Sequence, residues 1–128
     1  MLIDSFAWIE YFMGTDKGIE VKKIVDDTTI AYTSPIIIAE IYSKSIRTDG
    51  IEKAEERKDF ILHRCVFVPA DEEIALEAGK IHAQMKKKVR DFGLADAFIL
   101  ATANKKNTRI LTGDPHFKGI ENVEFLGE

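Results

Sequence analysis

The stretch LIDSFAWIEYFM, residues 2–13, decides how this chain is to be read. Leu2 and Ile3 form a short apolar lead-in, Asp4-Ser5 supplies an N-cap, and a helix follows to about Met13, where Gly14 stops it. A strand thus passes directly into a helix. The same alternation continues along the chain. A second helix is expected from about Asp16 to Asp26, and Thr29–Thr33 alternates β-branched and aromatic residues as a strand does. Ser34-Pro35 caps a helix reaching about Thr48, and another, Ile51–Arg64, follows the break at Asp49-Gly50. Cys65–Val68 reads as a strand closed by Pro69. From Asp71 to Val89 the apolar positions Ile74, Ala78, Ile81, Met85 and Val89 keep close to a 3.6-residue period, which predicts an amphipathic helix. Gly93 precedes an unusually apolar helix, Leu94–Ala103. Arg109–Thr112 and Val123–Leu126 are the last two strands, with a Gly113-Asp114-Pro115 turn between them. Short strands alternating with helices predict an α/β protein: a three-layer α/β/α sandwich with a central, mainly parallel sheet covered on both faces. Ligands of such sheets bind beyond the carboxyl ends of the strands, where Asp4 and Asp114 fall.

The 128 residues suffice for one substantial core, so a single domain over residues 1–128 is expected. The lone Cys65 excludes an internal disulfide, and no CxxC spacing suggests structural zinc. A reducing, cytoplasmic setting follows. No apolar run approaches the ~20 residues of a membrane span, so no membrane association is expected. The formal net charge of -4 argues against a polyanion partner only until it is divided along the chain. Between Lys80 and Arg109 eight bases face two acids, a segment of +6 that leaves -10 for the remainder. Lys86, Lys87, Lys88 and Arg90, with Lys105, Lys106 and Arg109 beyond them, make a local basic face suited to a nucleic-acid backbone. A solvated helix end would also account for Lys86–Arg90, because cations favour a helix C-terminus.

Three acids interrupt apolar surroundings. Asp4 lies between Leu2-Ile3 and Phe6-Ala7-Trp8-Ile9, Glu40 lies within IIIAEIY (36–42), and Asp96 within LADAFILA (94–101). Taking an ionised carboxylate out of water costs several kcal/mol unless it is protonated, paired or bound to a metal. No base stands beside Asp4 or Asp96, and Glu40 has only Lys44, four residues on. A hard divalent cation such as Mg²⁺ or Mn²⁺ would compensate them, and the chain offers no His/Cys set favouring zinc. Structural roles are open as well. Asp4 suits an N-cap, Asp96 a first helical turn, Glu40 a pair with Lys44, and Asp114 a turn before Pro115. Ser5 and Thr112 stand beside two of the acids and can orient them or bind water. His116 is a loop histidine of minor weight, and Trp8, Phe98 and Phe117 read as core.

LIDSFAWIEYF, IIIAEIY, LADAFILATA and ILTGDPHF, in this order and spacing, resemble the motifs of the PIN-domain ribonucleases, especially the compact VapC-type toxins of toxin–antitoxin pairs. The resemblance spans essentially the whole chain. It implies a PIN-like α/β/α sandwich with an acidic pocket, in which Asp4, Glu40, Asp96 and Asp114 are the four catalytic acids and metal ligands. Ser5 and Thr112 match the polar positions beside the first and last. Asp91, outside the third motif, is left as an outer residue of the site. It further implies a divalent-metal-dependent endoribonuclease using Mg²⁺ or Mn²⁺, a cut leaving a 5′-phosphate, a cognate antitoxin protein as partner, and a homodimer. A phosphoacceptor signalling domain is the competing enzyme-like reading. It requires an Asp beyond the central strand and a Lys beyond a late one, and Thr29–Thr33, taken as that central strand, runs into Ser34-Pro35. A catalytically idle protein-binding module of the same fold is the third.

Overall fold

The computed structural model describes residues 1–127. Among these, six α-helices surround a five-stranded sheet: β1 (Leu2–Ile3), α1 (Ser5–Met13), α2 (Asp16–Asp27), β2 (Tyr32–Thr33), α3 (Pro35–Asp49), α4 (Ile51–Arg64), β3 (Val66–Phe67), α5 (Glu72–Met85), α6 (Leu94–Lys106), β4 (Ile110–Thr112) and β5 (Val123–Phe125). A single 3₁₀ turn, Pro115–Phe117, lies between β4 and β5. The order across the sheet is β3-β2-β1-β4-β5 and every pairing is parallel. The predicted α/β/α class is therefore the observed one.

The centre of the sheet is β1, not the Thr29–Thr33 segment expected from the sequence. That segment pairs over Tyr32 and Thr33 alone, because the two-residue β1 meets it through Leu2 opposite Tyr32. Chain connections leave β1 toward β2 on one side and β4 toward β5 on the other. With right-handed crossovers, this reversal opens a crevice at the carboxyl ends of β1 and β4.

Leu2, Ile3, Ile110 and Leu111 are fully or almost fully buried, so the two central strands carry no exposed face. Trp8 and Phe117 belong to the same core, as their sequence context suggested, while Phe98 is only partly buried against it. Helix α5 ends at Met85 rather than running to Val89. Three consecutive lysines repel one another there, and the chain turns so that Phe92 can bury and pack edge-on against Phe117, 6.5 Å between rings. Helix α6 is longer than expected and closes at Asn107 in the left-handed conformation. Among the described residues no helix is long and apolar enough to cross a membrane.

Candidate metal centre

Asp4 occupies the N-cap position of α1 but makes no capping hydrogen bond with its side chain. The capping role is thus not what holds it. Instead its Oδ2 accepts from Thr112 Oγ1 at 2.7 Å, across the β1–β4 crevice. The register explains this contact: Ile3 pairs with Leu111, so the next residue of each strand falls side by side. Thr112 Oγ1 in turn accepts from the backbone N–H of Asp114 at 3.0 Å, so one hydroxyl ties the first acid to the last. Asp4 is 4% exposed. Burial, reinforced by the nearby charges of Glu40 and Asp114 and opposed by the Thr112 bond, pushes its pKa up to about 7.

Glu40 extends from the second turn of α3 and accepts from Ser5 Oγ at 3.0 Å. Among the described residues it forms no ion pair with Lys44, the partner its helix spacing offered; Lys44 instead lines the adjoining grooves. Partial burial of its carboxyl, then the charges of Asp96 and Asp114, raise its pKa against the Ser5 bond. Asp96 does serve its helix start, accepting the Gly93 N–H at 3.2 Å, but its Oδ2 also faces His116 Nδ1 at 3.0 Å. Burial raises its pKa, with Asp114 adding to the effect and the Gly93 and His116 contacts opposing it. Asp114 keeps its turn role too, its Oδ1 accepting the His116 N–H at 2.9 Å. Two of the four structural readings therefore hold in part, for Asp96 and Asp114, and two do not.

All four acids converge at the carboxyl end of the sheet. Among the described residues no lysine or arginine forms an ion pair with any of them, and the one basic group in contact is His116, 3.0 Å from Asp96 and 3.6 Å from Asp114. His116 also meets Asp91 through Nε2 at 3.0 Å. Hydrogen bonding to Asp91, and the charges of Asp114 and Asp96, raise the His116 pKa despite some desolvation. One ligand atom each from Asp96, Asp114 and His116 lie within 4.8 Å of one another. Asp4 and Glu40 stand outside that tightest group. Oxygen donors in a partly buried cluster without a lysine or arginine counter-charge suit a hard divalent ion, so the donor set fits Mg²⁺ or Mn²⁺.

A groove of about 440 Å³ runs past Ser5, Ile9, Glu40, Lys44 and Arg47. A neighbouring one of about 260 Å³ shares Ser5 and Lys44 and reaches Asp114. Two residues the sequence reading placed lower, His116 and Asp91, are brought into the cluster. The Asp-Pro-His spacing of 114–116 was the available signal for His116. Thr33 and Ser34 close β2 with buried hydroxyls that have no hydrogen-bond partner among the described residues, and Ser34, expected to cap α3 with its side chain, does not.

The basic segment divides. Lys86, Lys87, Lys88 and Arg90 are exposed on the turn after α5, immediately before Asp91, and Lys86 Nζ donates to the Arg90 carbonyl. Lys105, Lys106 and Arg109 lie at the other end of α6, about 13 Å along the helix from Asp96. There Lys105 pairs with Asp71, Lys106 lies over the Tyr32 ring and Arg109 pairs with Glu124.

The architecture has counterparts among known proteins. The PIN domain family model matches residues 1–123. No curated protein sequence matches the chain. A chain of a toxin–antitoxin complex from Klebsiella pneumoniae superposes with a TM-score of 0.77 at 22% identity, over 96% of this chain and 94% of that one. VapBC2 from Rickettsia felis, bound to a DNA fragment from its promoter, gives 0.78 at 17% identity over 98% of both chains. The sarcin–ricin-loop-cleaving toxin VapC20 of Mycobacterium tuberculosis gives 0.82 at 16% identity, again over 98% of both. At these identities the superpositions speak for the fold, while the sequence model spans nearly the whole chain: the protein belongs to the PIN-domain family.

Proposed function

We propose that residues 1–128 form a single nuclease domain that hydrolyses RNA phosphodiester bonds with the help of Mg²⁺ or Mn²⁺, as the toxin of a toxin–antitoxin pair. The observation that carries the reading is the convergence of Asp4, Glu40, Asp96 and Asp114 with no lysine or arginine counter-ion among the described residues, which leaves a strongly acidic pocket suited to a cation. Asp4, Asp96 and Asp114 are the most direct ligands, and Glu40 acts on a second ion or through water. A divalent ion held there would lower the pKa of a bound water and neutralise charge developing on the phosphate. Thr112 fixes the carboxylate of Asp4, and Ser5 that of Glu40. Lys86, Lys87, Lys88 and Arg90, one residue from Asp91, offer the RNA backbone a cationic approach.

The toxin role and a small antitoxin covering the pocket draw support from the toxin–antitoxin complexes in which the fold recurs, while self-association and a cytoplasmic setting are carried over from the sequence reading. A phosphoacceptor gains one feature from β1 being the central strand, since Asp4 follows it. Yet Asp4 is 4% exposed and held by Thr112, and β4 runs into Gly113 and Asp114 rather than a lysine. The test is cleavage of a structured RNA by the purified chain with Mn²⁺ or Mg²⁺. Cleavage is expected to vanish in EDTA and to fall about 100-fold or more in Asp96→Asn. Metal-independent cleavage, or a fully active Asp96→Asn, rejects the assignment; transfer of phosphate from acetyl phosphate to Asp4 would favour the phosphoacceptor.

A further inference from the structure

His116 has no part in the mechanism above, yet both of its ring nitrogens face carboxylates. Nε2 is 3.0 Å from Asp91 Oδ2; Nδ1 is 3.0 Å from Asp96 Oδ2 and 3.6 Å from Asp114 Oδ1. A neutral imidazole has one N–H. Given to Asp91, it leaves the Nδ1 lone pair facing two carboxylate oxygens, an arrangement relieved either by a second proton on the ring or by a metal cation among the three atoms. The 3.0 Å between Nδ1 and Asp96 Oδ2 is that of neighbouring ligands on one ion, since cis positions on an octahedral ion with ligands at about 2.1 Å are ~3 Å apart, and the Asp114 oxygen at 3.6 Å is near enough to share it. A carboxylate that holds the far N–H of a histidine is also how proteins orient a metal-bound imidazole. Asp91 is in place to do so: it sits on the turn before α6, 77% exposed at the side chain, and among the described residues its carboxylate hydrogen-bonds no side chain but that of His116.

We propose that His116 is itself a ligand, through Nδ1, of the ion held by Asp96 and Asp114, with Asp91 fixing the ring, and that this nitrogen biases the centre toward first-row transition ions over Mg²⁺. The proposal rests on the metal-dependent reading of the same site and sharpens it. Mg²⁺ prefers an all-oxygen shell, whereas imidazole is a good donor to transition ions. A purely structural histidine would instead only tie the start of α6 to the 3₁₀ turn.

The experiment uses the full chain, stripped with EDTA and reloaded with Mn²⁺ alone. Pulsed electron paramagnetic resonance is expected to show ¹⁴N coupled to the bound ion, lost in His116→Gln and in His116→Asp. Mn²⁺ affinity is expected to fall about 10-fold or more in His116→Gln and in Asp91→Asn, within the usual range for lost ligand support. His116→Asp, which restores an oxygen donor, is expected to narrow the preference for Mn²⁺ over Mg²⁺. Mn²⁺ that binds without nitrogen coupling, but is lost in Asp96→Asn, overturns the role of His116 and leaves the metal-dependent reading intact. A wild-type chain that binds no Mn²⁺ and cleaves no RNA overturns both.

Discussion

The two ends of the sheet treat charge in opposite ways. At the amino end, Lys105 pairs with Asp71, Arg109 with Glu124, and Arg64 donates to the carbonyls of Val25 and Thr28 at 2.7 and 2.8 Å, closing the end of α2. The terminal ammonium of Met1 likewise donates to the Ile30 carbonyl. Each charge there has a partner that makes the fold tighter. At the carboxyl end, four acids share two hydroxyls, two backbone N–H groups and one histidine, and their pKa values move up where a shift is resolved. Isolated in that way they cost stability, which the paired end does not. A chain that pairs its charges at one end and leaves four acids with a single histidine at the other marks the second as the place where a ligand completes the structure.

The sharpest way to break this contrast is to neutralise the centre of the unpaired end. Asp4→Asn is expected to lose RNA cleavage by about 100-fold or more, yet to melt no lower than the parent in EDTA at pH 8, because a buried charge among like charges has been removed. A large drop in melting temperature would mean that Asp4 is a structural residue, and the contrast would collapse.

Next in size is the response to pH. A folded pKa near 7 for Asp4, against about 4 unfolded, means that the folded state binds more protons between those values. Stability of the metal-free chain is therefore expected to fall as pH rises from 4 to 7, by up to about 4 kcal/mol from this group, and to level off above. The raised values of Glu40, Asp96 and His116 act in the same direction. Denaturant titrations in EDTA across this range would reveal it. Saturating Mn²⁺ should reverse the trend, since metal and protons compete for the same carboxylates.

Thr112→Val probes the hydroxyl that links Asp4 to Asp114. It is expected to cost about 1–3 kcal/mol and to slow cleavage about 10- to 100-fold, read from urea titrations and initial rates. Smaller effects should separate the two halves of the basic segment. Lys87→Ala with Lys88→Ala is expected to weaken RNA binding and reduce its salt dependence by about one to two units of slope. Lys105→Ala is expected to leave cleavage unchanged and to shift the urea midpoint little, as an exposed pair does. Equal effects of the two on RNA binding would show that the amino end, too, meets the substrate.

Much of this was legible along the chain. The strand–helix alternation, with Gly14, Pro35, Gly50 and Gly93 as punctuation, is local chemistry and gave nearly every element within a few residues. Asp4 and Glu40 stood out because an acid inside an apolar run is anomalous wherever it folds. The errors share one cause, that local signals do not know their neighbours. Thr29–Thr33 has the composition of a longer strand, but β1 offers it a single registered partner. Residues 86–89 continue a helical period, but Phe92 must reach Phe117. Eight bases between Lys80 and Arg109 read as one face, but α6 is long enough to carry the last three to the far end of the sheet.

The sequence by itself determined the α/β class, the acids and their apolar settings, because these depend on residue type and spacing over one or two turns. Only the tertiary structure decided which strand is central, that Thr112 rather than a helix cap holds Asp4, and that His116 joins Asp91, Asp96 and Asp114. Those facts turn on sheet register and on the packing of a 3₁₀ turn against a helix start, contacts between residues 20 to 108 positions apart that no local pattern encodes.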